Sequence, residues 1–306
     1  MSDATPASPS DGRTRLLAIL AEARPELHRY CARLAGSLFD GEDIVQDVLV
    51  RALGAADRLD PETPLRPWLF RIAHNRALDH LRSQAVRRGE PIETAAQIAD
   101  PLTPDPAEAL ARREAIDTAL SRFTELPILQ RSVVILKDVL GHSLEEIADL
   151  LEVSVNSVKA ALGRGRIRLR RINAAAAAEI GGARRASEGA AQFAALFNRR
   201  DWDGLRALLA EDVHLTQTTH ADRRGRAEVG LFFTIYAETP AFHLVPAWLE
   251  DREVIAVFER ADDAQPVYLM EVGWREAQIA RIRDFRYARY ILDGADLAFA
   301  PGFRAG

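Results

Sequence analysis

The sequence contains few of the residues that cross-link a chain or anchor it in a membrane. Of its 306 residues only Cys31 is a cysteine, so no disulfide can form within the chain. No apolar run approaches the length of a membrane span, and the opening residues lack the apolar segment of a signal peptide. We therefore expect a cytoplasmic protein, without a membrane segment, that folds around its own apolar core.

Lysine is also scarce, and arginine supplies nearly all of the positive charge. Lys137 and Lys159 are the two lysines among 40 basic residues. The net charge of −5 is unevenly distributed, because the residues from 186 onward include 14 Arg, no Lys and 19 Asp plus Glu. The preceding part is balanced overall, and its basic residues are clustered. The negative net charge therefore does not exclude nucleic acid as a partner of the front part.

A helix-turn-helix is predicted over residues 143–171. Ser143 and Glu146 have the spacing of a capping box, and the apolar residues that follow recur three and four positions apart. Ser154 then begins a second helix, in which every charged residue up to Asn173 is basic. This pattern is typical of a helix that enters a DNA major groove. The alternative is a solvated basic helix end that offsets the helix dipole.

Two glycines interrupt this second helix. Gly163 and Gly165 each lower the local helix propensity by about 1 kcal/mol relative to Ala. We therefore expect base recognition in the first turns, at Asn156, Ser157, Lys159 and Ala160.

Two further helices are predicted upstream, on either side of a Pro-containing loop over residues 57–64. The first presents an apolar face inward and a polar face outward. Solvation alone is enough to explain this polar face. The second carries many Arg and His residues and begins near Trp68, a pattern that suits melted nucleic acid. Trp68 is also interpretable as a core residue.

Three segments resemble, in this order, regions 2 and 4 of the sigma-70 family. They are FDGEDIVQDVLVRAL, PLRPWLFRIAHNRALDHLRSQ and LPILQRSVVILKDVLGHSLEEIADLLEVSVNSVKAALGRGRIRLRR. The missing region 3 makes the chain similar to the extracytoplasmic-function (ECF) group. The resemblance implies a helical bundle for region 2 and a helix-turn-helix for region 4. One departure is the Ala160-Ala161 pair, where many members carry Ser-Arg.

The resemblance also implies partners and binding residues. Core RNA polymerase would bind Asp43, Gln46, Asp47 and Arg51. Promoter DNA would be bound by the 57–64 loop and the basic helix at the melted minus-ten strand, and by the helix from Ser154 at the minus-thirty-five duplex. The residues assigned to DNA are Trp68, Arg71, His74, Asn75, Arg76, His80, Arg82, Ser154, Asn156, Ser157, Lys159, Arg164, Arg166 and Arg168.

The pattern changes after residue 186 to two amphipathic helices, then strand-like runs with one more helix among them. This order is similar to the SnoaL-like branch of the nuclear-transport-factor-two-like fold, which implies an α+β cone. The whole chain is thus predicted to be multi-domain, with two all-α sigma domains and one α+β domain. The expected limits are a disordered N-terminus over 1–12, region 2 over 13–88, a linker over 89–106, region 4 over 107–173, a linker over 174–186 and the SnoaL-like domain over 187–300.

The SnoaL-like resemblance implies a pocket in the C-terminal domain. Candidates for lining it are Trp202, His214, Tyr236, Trp248, Tyr268, Glu271, Trp274 and Asp284. Glu271, His214 and Asp284 are candidate groups of an isomerase-like site, which needs a carboxylate base and acidic donors. The alternative is that Glu271 and Asp284 are outward positions of alternating strands.

We interpret the chain as a sigma factor, not an enzyme, with a SnoaL-like domain that modulates its activity by intramolecular contact with the sigma regions. No metal or cofactor is expected, and a small ligand of the C-terminal pocket is left open. One alternative is a helix-turn-helix repressor or activator with an effector pocket. That alternative leaves Asp43, Gln46 and Asp47 without a role. The other is a pocket enzyme with an N-terminal targeting module.

Overall fold

The chain divides into an N-terminal helical unit, Met1–Ile180, and a C-terminal unit with one sheet, Gly181–Gly306. The computed structural model describes residues 9–60, 62–88, 108–176, 185–218, 220–238, 242–250, 252–293, 295 and 297–299. The predicted linker over 89–106 lies outside these residues. Within them, none of the helices is both long enough and apolar enough to span a bilayer.

The N-terminal unit is built from helices that enclose one apolar core. They are α1 (Pro9–Ala35), α2 (Leu38–Ala55), α3 (Leu65–Arg88), α4 (Glu108–Asp117), α5 (Leu120–Phe123), α6 (Ile128–Val134), α7 (Leu144–Leu151) and α8 (Val155–Ala176). A 3-10 turn follows α2 at Ala56–Arg58, and a π-helical segment follows α6 at Ile135–Val139. The sequence did not indicate the π-helical segment.

The start of this unit differs from the sequence-based expectation at one point. Helix α1 begins at Pro9, so residues 9–12 are helical although disorder was expected over 1–12. The cap of α2 is Ser37, whose Oγ accepts from the backbone N of Asp40 at 3.3 Å, and Asp40 itself lies in the first turn.

Helices α1 and α2 pack closely because Gly41 has no side chain. A Cβ there would lie 2.6 Å from the Cα of Ala32.

The first three helices and the later helices share their core. Arg131 of α6 is buried, and its guanidinium donates to the carbonyl oxygens of Leu34 at 2.7 Å, Thr124 at 2.6 Å and Leu126 at 2.9 Å. The rings of Phe70 and His142 meet edge to face at 5.2 Å. These contacts join α1 and α3 to the segment from α5 to α7.

The C-terminal unit packs helices against a seven-stranded sheet. The helices are α9 (Glu188–Asn198), α10 (Trp202–Ala207) and α11 (Arg226–Glu238). The strands are β1 (Leu209–Gln217), β2 (Arg223–Arg224), β3 (His243–Leu249), β4 (Arg252–Phe258), β5 (Tyr268–Arg275), β6 (Gln278–Asp284) and β7 (Leu297–Phe299). The sheet order is β2-β1-β6-β5-β4-β3-β7. The predicted α+β class is confirmed.

One detail of the sheet was not expected from the sequence. Strands β1 and β6 run parallel, whereas the other neighbouring strands described are antiparallel. Strand β6 ends at Asp284, and a 3-10 turn follows at Arg289–Leu292. Pairing of Met270 with Asp284 and of Val272 with Ile282 sets the register, so Asp284 lies on the same face as buried Ile282.

Candidate nucleic-acid interface

Helix α2 presents a polar face to solvent. Asp43, Asp47 and Arg51 are exposed, and Gln46 is half-buried with its Nε2 donating to the Oε1 of Glu42 at 2.8 Å. Among them stands Val50, whose surface is 71% exposed. A single exposed aliphatic residue is common on protein surfaces and does not by itself mark an interaction site. Val50 follows Gln46 by four positions and Asp47 by three, so it lies on the same face of α2.

An open groove of about 430 Å³ lies between the end of α2 and helix α3. Its lining residues are Arg51, Gly54, Ala55, Arg58, Trp68, Ile72, Asn75, Arg76 and Asp79. Trp68 lines the groove, packs on the apolar core and is half-buried, so its role as a core residue is confirmed. The groove therefore combines an aromatic ring, guanidinium groups, one amide and one carboxylate.

An ion pair connects the polar face of α2 with this groove. Nη2 of Arg76 lies 2.6 Å from Oδ2 of Asp47, and Nη1 lies 3.2 Å from Oδ2 of Asp79. The hydrogen bond to Asp47 raises the pKa of Arg76. Two residues predicted to bind different partners are therefore in contact with each other.

The remaining predicted residues of α3 differ in their surroundings. Arg82 and Asn75 are exposed, and Arg71 is exposed with Nη2 donating to the carbonyl oxygen of Asp149 at 3.4 Å. His80 lies 3.7 Å from Oδ2 of Asp40. These positions leave Asn75 and Arg82 accessible.

His74 is a correction to the predicted DNA surface. A hydrogen bond of 2.8 Å joins its Nδ1 to the hydroxyl of Tyr30, and burial lowers its pKa to about 4. The imidazole is therefore neutral at pH 7 and packs inward. It offers no positive charge to a phosphate.

The helix-turn-helix has the predicted caps. Ser143 Oγ accepts from the backbone N of Glu146 at 3.1 Å, and Glu146 accepts from the backbone N of Ser143 at 2.7 Å. Glu152 ends α7 in the left-handed conformation, with φ of 57°. Ser154 then caps α8 by accepting from the backbone N of Ser157 at 3.1 Å. The exposed residues of the first turns are Ser154, Asn156, Ser157 and Lys159.

Arg166 is the second correction. Its Nε donates to Oδ2 of Asp138 at 2.9 Å and its Nη2 to Oδ1 at 2.5 Å, and both side chains are buried. Asp138 belongs to the π-helical segment. Arg166 therefore stabilises the fold of this region and does not face DNA. Arg164 is half-buried, and Arg168 is exposed.

Three of the pocket candidates in the C-terminal unit converge. The hydroxyls of Tyr236 and Tyr268 lie 2.7 Å apart, and Asp284 accepts from Gln217 Nε2 and from the backbone N of Arg286, both at 2.9 Å. Burial raises the pKa of Asp284 to about 6, although these donors oppose the shift. Asp284 is therefore an inward residue, contrary to the outward alternative.

The other five candidates lie elsewhere. His214 pairs with Asp222 at 3.0 Å and Trp202 packs on Phe197, while Trp248 is half-buried on β3. Trp274 packs beneath α9, where a Cβ at Gly189 would lie 2.9 Å from its ring. Glu271 points away from the core among arginines, and its outward position is confirmed. The described residues contain no group of three or more acidic, His or Cys side chains placed to hold a metal ion.

Two segments of the chain match known families. Residues 19–87 match sigma-70 region 2, and residues 114–169 match sigma-70 region 4. The ECF RNA polymerase sigma factor SigW of Bacillus subtilis (strain 168) is 31% identical over 157 residues, which cover 48% of this chain and 83% of SigW. The chain belongs to the ECF sigma factors. This sigma factor binds core RNA polymerase and promoter DNA and directs the polymerase to specific promoters.

The similarity extends beyond the two sigma regions. The ECF sigma factor SigG of Mycobacterium tuberculosis (strain ATCC 25618 / H37Rv) is 28% identical over 278 residues, covering 81% of this chain and 75% of SigG. Because the helical unit ends at Ile180, this match includes part of the C-terminal unit. The crystal structure of the M. tuberculosis ECF sigma factor SigJ covers 89% of this chain and 98% of SigJ, with 18% identity and a TM-score of 0.35.

Proposed function

We propose that this sigma factor captures the melted minus-ten strand in the groove between α2 and α3. The observation that carries the proposal is the composition of the groove. Trp68 offers a stacking surface, while Arg58 offers charge to the phosphates and Asn75 offers an amide to a base edge. A volume of about 430 Å³ lies within the usual range of small-molecule sites, which suits single nucleotides better than a duplex.

Core polymerase would bind the neighbouring face of α2. We assign this contact to Asp43, Gln46, Asp47 and Arg51, and we add Val50. An apolar residue surrounded by charged ones suits an interface in which the centre is desolvated and the rim stays polar. The two proposed surfaces lie side by side on one module.

The minus-thirty-five duplex would be bound by helix α8. The exposed first turn supplies polar side chains that contact base edges. Arg168, further along the same helix, supplies a phosphate contact. Arg164, half-buried, would contribute its exposed part. The assigned residues are Ser154, Asn156, Ser157, Lys159, Arg164 and Arg168.

The C-terminal unit would modulate transcription through contact with the sigma regions. Its acidic surplus supports this assignment, because opposite charges favour contact with the basic helices. We assign it no reaction, since Tyr236, Tyr268 and Asp284 are bonded to one another or to Gln217 and Arg286. A small ligand would have to replace these bonds. The site of action would be the cytoplasm, where core polymerase and promoter DNA are found.

Transcription in a purified system tests these assignments. Core polymerase, the promoter upstream of the protein's own gene, and either the full-length chain or a chain ending at Gly182 are compared. Transcription that core alone does not produce is expected from at least one chain. The difference between the two chains gives the sign of the C-terminal effect. Equal transcription from both would contradict modulation by the C-terminal unit.

A pair of arginine variants tests the groove itself. Arg58→Gln removes a lining guanidinium, whereas Arg87→Gln removes an exposed guanidinium of α3 that lies outside the groove. We expect Arg58→Gln to lower open-complex formation several-fold, because it removes a charge-assisted contact with a phosphate. Arg87→Gln should have a smaller effect. Equal effects of the two variants would indicate only non-specific electrostatic attraction between the protein and DNA. Such a result would contradict capture of the strand in the groove.

A further inference from the structure

The ion pair between Asp47 and Arg76 lies at the boundary of two proposed binding surfaces. Asp47 belongs to the polar face of α2, which is proposed to bind core polymerase, and its side chain is 55% exposed. Arg76 belongs to α3 and lines the groove proposed for the promoter strand. One guanidinium is therefore occupied by a carboxylate that polymerase is expected to bind.

Arg76 lines the groove and is held there by a second carboxylate. Its Nη1 is bonded to Asp79, which also lines the groove. Among the described residues nothing accepts a hydrogen bond from its buried Nε. Loss of Asp47 as a partner would thus leave the guanidinium anchored at the groove wall with unused donors.

We propose that the Asp47–Arg76 ion pair couples polymerase binding to capture of the promoter strand. In the free sigma factor, Asp47 neutralises Arg76. A cationic group of polymerase that binds the Asp47 carboxylate frees Arg76 for a phosphate of the single strand in the groove. This inference rests on the proposed function and names Asp47 and Arg76 as positioning residues within it.

The coupling is reciprocal by thermodynamic necessity. If polymerase binding strengthens the contact of Arg76 with the strand, strand binding must strengthen polymerase binding by the same factor. The pair is partly exposed, so the factor is modest. We expect about two- to fivefold, the range of exposed ion pairs.

The test measures binding of a short, labelled, mixed-sequence single-stranded DNA to the full-length protein without polymerase. Fluorescence anisotropy over a series of salt concentrations is recorded for wild type, Asp47→Asn, Arg76→Gln and the double variant. Asp47→Asn is expected to bind about two- to fivefold more tightly. The slope of log affinity against log salt should become steeper by about 0.7, the value for one added phosphate contact.

Two comparisons separate the proposal from a general effect of charge. Glu22→Gln removes the same charge from α1, beside Arg66, and should change the affinity less than Asp47→Asn. The gain from Asp47→Asn should vanish when Arg76 is already Gln. A gain that persists in the double variant, or no gain in Asp47→Asn, would overturn the proposal.

Transcription with core polymerase distinguishes failure of the proposed coupling from failure of the proposed function. If wild-type protein supports transcription with core polymerase but Asp47→Asn gains no affinity for the strand, the coupling alone is wrong. If wild-type protein neither binds core polymerase nor supports transcription, the proposed function is wrong as well. Unfolding curves of all variants confirm that the exposed substitutions leave the fold intact.

Discussion

Buried charge is handled in two different ways in the two units. Arg166 and Asp138 form a pair with two hydrogen bonds, so both charges are compensated within the N-terminal unit. Asp284 has no cation among its hydrogen-bond partners Gln217 and the Arg286 backbone N. Burial without a cation among these donors holds the carboxylate closer to its protonated form, although the charge of Arg286 opposes this shift. The two cases predict opposite consequences of substitution.

Asp284→Asn should remove a pH dependence of stability. Burial raises the pKa of Asp284 to about 6, above the value of 3.8 for an unhindered carboxyl. The folded state therefore binds the proton more tightly, and this stabilisation is present below pH 3.8 and lost as pH rises through about 6. Asn mimics the protonated group, so the change in free energy of unfolding over this window, at most roughly 3 kcal/mol, should disappear.

Urea unfolding of the full-length chain from pH 4 to pH 7, followed by tryptophan fluorescence, checks this prediction. Asp203→Asn, which removes an exposed carboxylate, serves as the control. An unchanged pH profile for Asp284→Asn would show that Asp284 is not the group responsible.

Arg166→Gln should destabilise the N-terminal unit, because it leaves the Asp138 carboxylate buried without its cation. The expected loss is about 3–5 kcal/mol. Arg168→Gln should change stability by less than about 0.5 kcal/mol and instead weaken binding of holoenzyme to promoter duplex. Thermal unfolding and promoter binding, measured on both variants, should separate the two residues. Equal stability of both would contradict the structural role of Arg166.

At the scale of elements, helix α8 has two different surroundings along one continuous helix. Its first turn exposes polar side chains, whereas further along Gly165 and Arg166 face the segment from α6 to the π-helical turn. The two glycines of α8 therefore occupy different environments. A Cβ at Gly165 would lie 2.7 Å from Cγ2 of Val134, while a Cβ at Gly163 would meet nothing within 4 Å.

Alanine at these two positions should have effects of opposite sign. Gly163→Ala should stabilise the N-terminal unit by up to about 1 kcal/mol, since Ala favours the helix and nothing obstructs its methyl group. Gly165→Ala should destabilise it, because the methyl group forces α6 and α8 apart and the cost of overpacking is typically about 1–3 kcal/mol. Chemical unfolding of both variants is the measurement. Stabilisation by Gly165→Ala would show that the packing there adjusts freely.

Some elements could be predicted because their signals are local. The capping box of Ser143 and Glu146 was confirmed, as was the cap at Ser154, since caps depend on residues within one turn. Arg166 was misassigned, although it follows Leu162 by four positions and precedes Leu169 by three in a buried stripe. Asp138 is likewise a lone acid in an apolar run. These spacings indicated burial, but neither residue revealed its partner in sequence.

At the scale of the whole molecule, each unit has its own apolar core. The larger core joins residues of α1 to α3 with residues of α6 to α8, and the second core lies within the C-terminal unit. Each half is therefore expected to fold when separated. Their charges differ, because the C-terminal part carries the negative net charge.

Separated chains of residues 1–180 and 181–306 should bind each other in a salt-sensitive manner. Attraction between the acidic part and the basic helices supplies the affinity, and salt screens such attraction between exposed charges. Titration calorimetry at low and high salt measures this binding. The control mixes the isolated C-terminal part with a protein that carries no net charge. Absence of binding at low salt would eliminate intramolecular contact as the means of regulation.

The sequence by itself determined the kinds of element, their order and the family, because helical periodicity, caps and three ordered motifs are written in neighbouring residues. Tertiary structure decided which charges reach solvent. It placed Arg166 on buried Asp138, turned His74 toward Tyr30 and brought Asp284 inward beside Gln217. These outcomes depend on pairs of residues that are distant in the sequence and become neighbours only in the folded chain.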